Sequence, residues 1–261
     1  MTTPSAELAV CTRELSRSFG AFVAVDRVSI DVFAGEVFGF LGANGAGKTT
    51  TIRMLCGLLA PTSGQAWVAG FDVVRDTERV KSSIGYMSQR FSLYEDLTVE
   101  ENMDFYGGIY GLHGGPLTRR KVELMEALGL VEHRRKLTRS IPLGWKQRLA
   151  LCCAVMHRPS VLFLDEPTAG VDPMSRRAFW SVIYTLAEEG TTVLVTTHYM
   201  EEAEYCNRLA IMHEGRVIAC DSPAGLKDSC RTESVEDAFV KLVGNRLEVP
   251  SFDEGEARRD A

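Results

Sequence analysis

A metal or disulfide framework is missing from this 261-residue sequence. The seven cysteines (Cys11, Cys56, Cys152, Cys153, Cys206, Cys220 and Cys230) are odd in number and show no Cys-x-x-Cys spacing. That pattern suits the reduced thiols of a cytosolic protein better than disulfides or a zinc site. Long apolar runs are absent too. The longest, LALCCAVM at Leu149–Met156, falls far short of the about 20 residues that a membrane-spanning helix needs. Any service to a membrane is therefore expected from outside the lipid, through a partner. The opening MTTPSAELAV has neither a basic start nor a long apolar core, so no secretory signal is expected. A basic excess is also lacking: 29 Lys and Arg stand against 35 Asp and Glu, a formal charge of -6. No nucleic acid is expected as a partner, and no internal repeat is visible.

What remains is ordinary globular material, with 45% hydrophobic and 25% charged residues and 23 glycines. The length allows one large domain, or a core with a smaller subdomain attached. The segment VSIDVFAGEVFGFLG reads as two strands joined at Ala34-Gly35. The second, Glu36 to Leu41, runs into a glycine loop and then a helix from Lys48 to about Leu58, closed by Pro61. Gln65–Ala69 and Ile84–Met87 have strand texture. From about Arg90 to Arg139 strand runs vanish, and VEENMDFYGGIYG and TRRKVELMEALGL read as helices separated by GLHGGPL. An inserted helical subdomain follows from this, over about residues 90–157. After it VLFLDE and TVLVTT read as strands, and PMSRRAFWSVIYTLAEEG as the helix between them. In that helix Phe179, Val182, Ile183 and Leu186 fall at i, i+3, i+4 and i+7, between Pro173 and Gly190. A short helix is expected from Tyr199. Apolar strands alternating with amphipathic helices imply a parallel sheet covered on both faces. The tail from Gly244 is polar and charge-rich, and poor order is expected there.

Two constellations carry chemistry. Gly42, Ala43, Asn44, Gly45, Ala46, Gly47, Lys48 and Thr49 form G-x-x-x-x-G-K-[ST], with a strand before and a helix after. Glycines there let backbone N–H groups turn inward as an anion nest at the positive end of the helix. Lys48 would supply a point charge to terminal phosphates, and the Thr49 hydroxyl would ligate Mg²⁺. Thr50 belongs to the same loop end. The second is VLFLDEPT, Val161 to Thr168, an apolar strand ending in Asp165-Glu166. Such a strand delivers Asp165 to a bound Mg²⁺ and Glu166 to the water that attacks a γ-phosphate.

In this order the motifs resemble the nucleotide-binding subunit of ATP-binding-cassette (ABC) transporters, over about Glu7 to Leu242. The resemblance implies a fold of the α/β class. Its core would be a P-loop NTPase with a mostly parallel sheet, an N-terminal antiparallel β subdomain and the inserted helical subdomain. An ABC-type domain over 7–242 and a disordered tail over 243–261 follow. So do ATP and Mg²⁺ as ligands. Phe19 matches the aromatic that stacks on adenine. Gln89, in GYMSQR, matches the glutamine that joins the metal site to the helical subdomain. Asp172, in AGVDP, matches the loop that touches the opposite monomer, and His198, in VTTHYM, the histidine at the γ-phosphate.

The family also begins the helix before the Asp-Glu strand with Leu-Ser-Gly-Gly-Gln, which covers ATP bound by the other monomer. Here the aligned residues are Ile141, Pro142, Leu143, Gly144 and Trp145. A helix N-terminus still aims N–H groups at a phosphate, and Gly144 permits close approach. Pro142 removes the serine hydroxyl, a loss of about 1.5–3 kcal/mol in closure if that bond is charge-assisted. Trp145 replaces a glutamine, and packing within the subdomain is expected for it.

GANGAGKTTTIRMLCGLLAPTSG, DEPTAGVDP and SVEDAFVKLV are most similar to the export-type (ABC-2) subgroup. PLGWKQRLALCC is similar to members in which two cassettes are fused. The resemblance implies an ATPase on the cytoplasmic face of the inner membrane, bound to transmembrane permease subunits and paired with a second ATP-binding domain. Phe91, Leu93 and Tyr94 are the expected permease contacts, while Phe105, Tyr106 and Tyr110 are expected in the subdomain core. Three rivals stand beside this: a soluble non-transport cassette protein, a small-molecule kinase, and an ATP-binding regulator with weakened hydrolysis.

Overall fold

The computed structural model describes residues 8–90 and 92–244. Phe91, the domain start at Glu7 and the tail beyond Gly244 lie outside the described residues. A strand, β1 (Leu8–Phe19), turns over Gly20-Ala21 into β2 (Phe22–Val28), and β3 (Asp31–Phe33) precedes β4 (Val37–Leu41). The glycine loop leads into α1 (Lys48–Leu55), which stops three residues before the expected end. There Gly57 takes φ +67 and the Leu58 amide turns back to the Arg53 carbonyl, a left-handed closure that ends the helix before Pro61 acts.

Next come β5 (Ser63–Val68), β6 (Phe71–Asp72), α2 (Thr77–Ser83) and β7 (Ile84–Met87). The helical region holds α3 (Val99–Ile109), α4 (Gly114–Ala127), two single 3₁₀ turns and α5 (Leu143–Val155). Here α4 begins inside the stretch expected to be a linker, because Gly114, Gly115 and Pro116 form its first turn, where a proline costs no hydrogen bond. Then follow β8 (Val161–Asp165), α6 (Pro173–Glu188), β9 (Thr192–Thr197), α7 (Met200–Ala203), β10 (Arg208–His213), β11 (Arg216–Asp221), α8 (Pro223–Cys230) and α9 (Val235–Gly244).

Two sheets organise these elements. The N-terminal one runs β2-β1-β5-β6 with β3 also on β1, and every pairing is antiparallel. The other runs β11-β10-β4-β9-β8-β7; all neighbours are parallel except β10 and β11. Both β4 and β8 are buried at every residue, as a strand covered on two faces must be. Phe38, Phe40 and Phe163 are fully buried there, each contributing about 1.5–3 kcal/mol of transfer free energy.

Register then does the positioning. Leu41 lies opposite Thr197, and Thr196 opposite Asp165. The carboxyl ends of β4, β8 and β9 therefore open at one edge, where ligands bind in open α/β sheets.

A buried amide is one of the ties that fix the segment after Gln89 to the helical region. Asn102 Oδ1 accepts from the Tyr94 amide at 2.9 Å, and its Nδ2 donates to the Tyr94 carbonyl at 3.0 Å and to Thr138 Oγ1 at 2.9 Å. A capping box of Thr98 and Glu101 starts α3. Leu93 packs against the core, whereas Tyr94 is 47% exposed. Phe105 departs from expectation. It is 40% exposed and meets Tyr94 edge to face at 4.6 Å, because its place on α3 faces outward beside the Tyr94 segment.

Candidate functional site

The glycine loop is crowded at two points that admit no side chain. A Cβ on Gly42 would sit 2.4 Å from the Met212 carbonyl oxygen. One on Gly47, where φ is +102, would sit 2.7 Å from that of Ala24. Between them the chain wraps the Lys48 ammonium, which is 4% exposed. Its Nζ donates to the Gly42 carbonyl at 2.7 Å and to that of Ala43 at 3.1 Å. Burial lowers the Lys48 pKa, opposed by the Glu166 and Asp165 carboxylates. Asn44, Gly45, Ala46, Gly47, Lys48, Thr49 and Thr50 line one wall of an open cleft of about 450 Å³. Phe22, Ala24, Gln89 and Glu166 complete it.

Asp165 sits below the loop at the end of β8 and is 1% exposed. Its Oδ1 accepts from Thr49 Oγ1 at 2.9 Å and Thr196 Oγ1 at 2.7 Å. Burial raises its pKa, against the two hydroxyl hydrogen bonds. A buried carboxylate beside a threonine hydroxyl is a hard oxygen donor set that suits Mg²⁺, which takes few protein ligands and completes its shell with phosphate oxygens and water.

Glu166 is the hub. Its Oε2 accepts from Gln89 Nε2 at 2.9 Å and lies 3.4 Å from His198 Nδ1, while Oε1 lies 3.7 Å from Lys48 Nζ. His198 Nδ1 is buried with no hydrogen bond. The Glu166 backbone takes φ +49, which costs a non-glycine residue about 1–2 kcal/mol. Two bonds hold it there: its amide donates to Thr196 Oγ1 at 2.8 Å and to the Thr196 carbonyl at 3.2 Å. Strain of this kind, kept at a cleft by fixed neighbours, accompanies function.

The other expected residues gather elsewhere. Phe19 pairs with Phe22 across the hairpin and carries the Arg17 guanidinium 4.6 Å above its ring. Phe22 lines the cleft, and Phe19 is not among the lining residues. Asp172 caps α6, its Oδ1 accepting from the Met174 and Ser175 amides at 3.1 and 3.0 Å.

Pro142 precedes the first turn of α5 with no side-chain cap, and the Trp145 and Lys146 amides bond back to its carbonyl. None of Pro142, Leu143 and Gly144 lines the cleft. Instead Leu143 Cδ2 lies 3.5 Å from where Gly170 would carry a Cβ, and Ser175 Oγ lies the same distance from that position on Gly144. Trp145 packs within the helical region, 4.4 Å from the His133 ring and under the Arg148 guanidinium at 4.7 Å.

The family described as "ABC transporter" matches residues 25–169, more than half of the chain. The chain belongs to the ABC transporter family. It is 48% identical over 242 residues to the probable multidrug ABC transporter ATP-binding protein YbhF of Escherichia coli (strain K12), covering 91% of this chain. It spans only 42% of YbhF's length. With the linearmycin resistance ATP-binding protein LnrL of Bacillus subtilis (strain 168) it shares 39% identity over 213 residues, 81% of this chain and 68% of LnrL. A solved ATP-binding subunit of an ABC transporter superposes with a TM-score of 0.82 at 28% identity, over 90% of this chain and 99% of that one. The fold is thus that of the ABC cassette, with its glycine-rich loop at the C-terminal edge of the parallel strands.

The sequence missed Phe22, Thr196 and the buried carboxylate Glu202. Thr196 left a faint signal as a hydroxyl closing an apolar strand. Phe22 and Glu202 left none, since each reaches its place through a hairpin or through sheet register.

Proposed function

We propose that this chain binds and hydrolyses ATP to drive an export-type membrane transporter, as its ATPase subunit on the cytoplasmic face of the inner membrane. The observation that carries the reading is the Glu166 carboxylate, held at the mouth of the phosphate loop by Gln89, with His198 and Lys48 within 3.4 and 3.7 Å. Lys48 and the loop amides hold the β- and γ-phosphates. Thr49, Asp165 and Gln89 are the residues that would hold Mg²⁺, which when bound neutralises charge on those phosphates. Glu166 orients water and accepts its proton, His198 donates to the γ-phosphate, and Phe19 or Phe22 stacks on the adenine.

Pro142, Leu143 and Gly144 do not line the cleft, so the α5 start of the chain's own cassette does not cover it. A second ATP-binding domain, in a homodimer or as a fused or heterodimeric partner, supplies that cover, with Asp172 at the seam. Hydrolysis removes the γ-phosphate contacts and lets the pair reopen. Leu93 and Tyr94, with the exposed Phe105, form the contact to permease subunits. The names of YbhF and LnrL, a multidrug and a resistance protein, favour outward transport of drug-like molecules.

The test is Mg²⁺-dependent ATP turnover of the wild type against Glu166→Gln. Turnover in the wild type and retention of bound ATP in the variant are the expected results. Equal turnover in both removes Glu166 as the base.

A further inference from the structure

Glu202, in α7, is a carboxylate that touches none of the phosphate-facing groups, yet it is 0% exposed. Its Oε2 accepts from the Thr197 hydroxyl at 2.6 Å and its Oε1 from the Thr168 hydroxyl. The Arg176 Nε lies 3.5 Å from Oε1. Three segments therefore meet on one charge: the strand end before His198, the loop after Glu166, and the first turn of α6 behind Asp172. Replacing a buried ion pair with well-packed apolar groups is often neutral or stabilising, so stability alone is a poor reason to keep one.

Arg176 makes two further contacts. Its Nη1 lies 3.6 Å from Glu201 Oε2, and its guanidinium lies 4.3 Å from the centre of the Tyr199 ring, which is 4.2 Å from that of His198. His198 Nδ1 in turn faces Glu166 Oε2. The Tyr199 amide is held by Thr197 Oγ1 at 3.0 Å, the same hydroxyl that Glu202 fixes. At the far end the Arg176 amide donates to the Asp172 carbonyl at 2.9 Å. A chain of contacts thus runs from the first turn of α6 to the candidate base: the guanidinium over Tyr199, the Tyr199 ring tilted 35° against His198, and His198 facing Glu166.

We propose that Arg176, ion-paired with Glu202, is a positioning residue: its guanidinium sets the Tyr199–His198 ring pair against Glu166 and makes that setting follow the turn at Asp172. The inference rests on the ATP-hydrolysis reading above. A lysine keeps the charge for Glu202 but loses the guanidinium that lies over the Tyr199 ring.

The experiment uses the full-length protein and compares wild type, Arg176→Lys, Tyr199→Phe, Tyr199→Leu and Lys48→Ala. It measures kcat and KM for Mg-ATP, the melting temperature, and the His198 ring resonance by NMR, assigned through its loss in His198→Asn. Arg176→Lys is expected to melt like wild type and keep its KM. Its kcat falls roughly ten- to hundred-fold, the scale set by a small misplacement of a reacting group, and its His198 resonance moves. Tyr199→Phe keeps the ring and stays within about two-fold of wild type.

An Arg176→Lys protein with wild-type kcat and an unmoved His198 resonance overturns the inference, while loss of turnover in Lys48→Ala leaves the hydrolysis reading standing. If the wild type hydrolyses no ATP, that reading fails and the resonance alone decides: unmoved in Arg176→Lys, it sinks the positioning role as well. Should Arg176→Lys fail to fold, Tyr199→Leu, which leaves the Glu202 pair intact, decides by the same readouts.

Discussion

The phosphate loop and the start of α5 are both glycine-bearing helix entries, yet they are built to opposite rules. At the loop the charged and oxygen-bearing groups nearest the cleft already have partners inside the chain: Lys48 on two carbonyls, Thr49 on Asp165, Gln89 on Glu166. At α5 the entry is bare, with no side-chain cap at Pro142 and Leu143 45% exposed beside it. A preorganised half-site needs little rearrangement on binding. A bare helix start offers amide donors to something outside the chain. On the function proposed above, the difference divides the labour: the groups that meet the phosphates would come from one cassette and the lid over them from another.

The largest expected effect breaks the built half. Glu166→Gln should lower turnover about 10²- to 10⁴-fold, the usual worth of a general base, with ATP still bound in an equilibrium assay. Lys48→Ala should cost nucleotide affinity by more than about tenfold, since the charge aimed at the phosphates is lost. If either variant keeps both properties, the loop is not the preorganised partner of the pair.

Asp165→Asn sharpens the same half by separating chemistry from stability. Burial raises the Asp165 carboxyl pKa, so folding favours its neutral form. That contribution is present below the unfolded-state value and is lost as pH rises through the raised one. Without Mg²⁺ the variant should therefore melt above wild type at neutral pH, with the gap closing below about pH 4, where both side chains are uncharged. Its turnover should no longer respond to Mg²⁺. Equal melting across the pH range contradicts the electrostatic assignment.

At the bare half the effects shrink. Pro142→Ser restores one hydroxyl donor and should raise turnover about ten- to hundredfold, the equivalent of a charge-assisted hydrogen bond of about 1.5–3 kcal/mol. An unchanged rate in the presence of the membrane partner counts against a phosphate contact there. Smallest is Trp145→Ala, which removes the contacts to His133 and Arg148. A stability loss of about 1–3 kcal/mol is expected, part from the ring contacts and part from the side chain's packing against the core, read by chemical denaturation, with turnover little altered.

Legibility in the sequence divides along the same line. The loop's place between β4 and α1 could be read because its motif lies in consecutive residues, and the place of Asp165-Glu166 because an apolar strand leads into them. The contacts among Glu202, Thr168, Thr197 and Arg176 could not, since they come from separate elements that meet only through the register of β8 with β9 and the packing of α6. Nor could the cleft position of Phe22, which depends on a two-residue hairpin turn. The end of α1 was misjudged because Gly57 in a left-handed conformation stops a helix earlier than a downstream proline does. The start of α4 was misjudged because Gly-Gly-Pro reads as a linker and also serves as a first turn.

Sedimentation of the full-length Glu166→Gln protein, with and without saturating Mg-ATP, tests most directly whether the cleft closes against a second cassette. Two ATP-binding domains should associate when nucleotide is present and separate when it is removed, and Gly144→Asp, which places a negative charge at the α5 start, should abolish the association. A protein whose cassettes remain apart in saturating ATP, with its membrane partners supplied, would contradict the shared site.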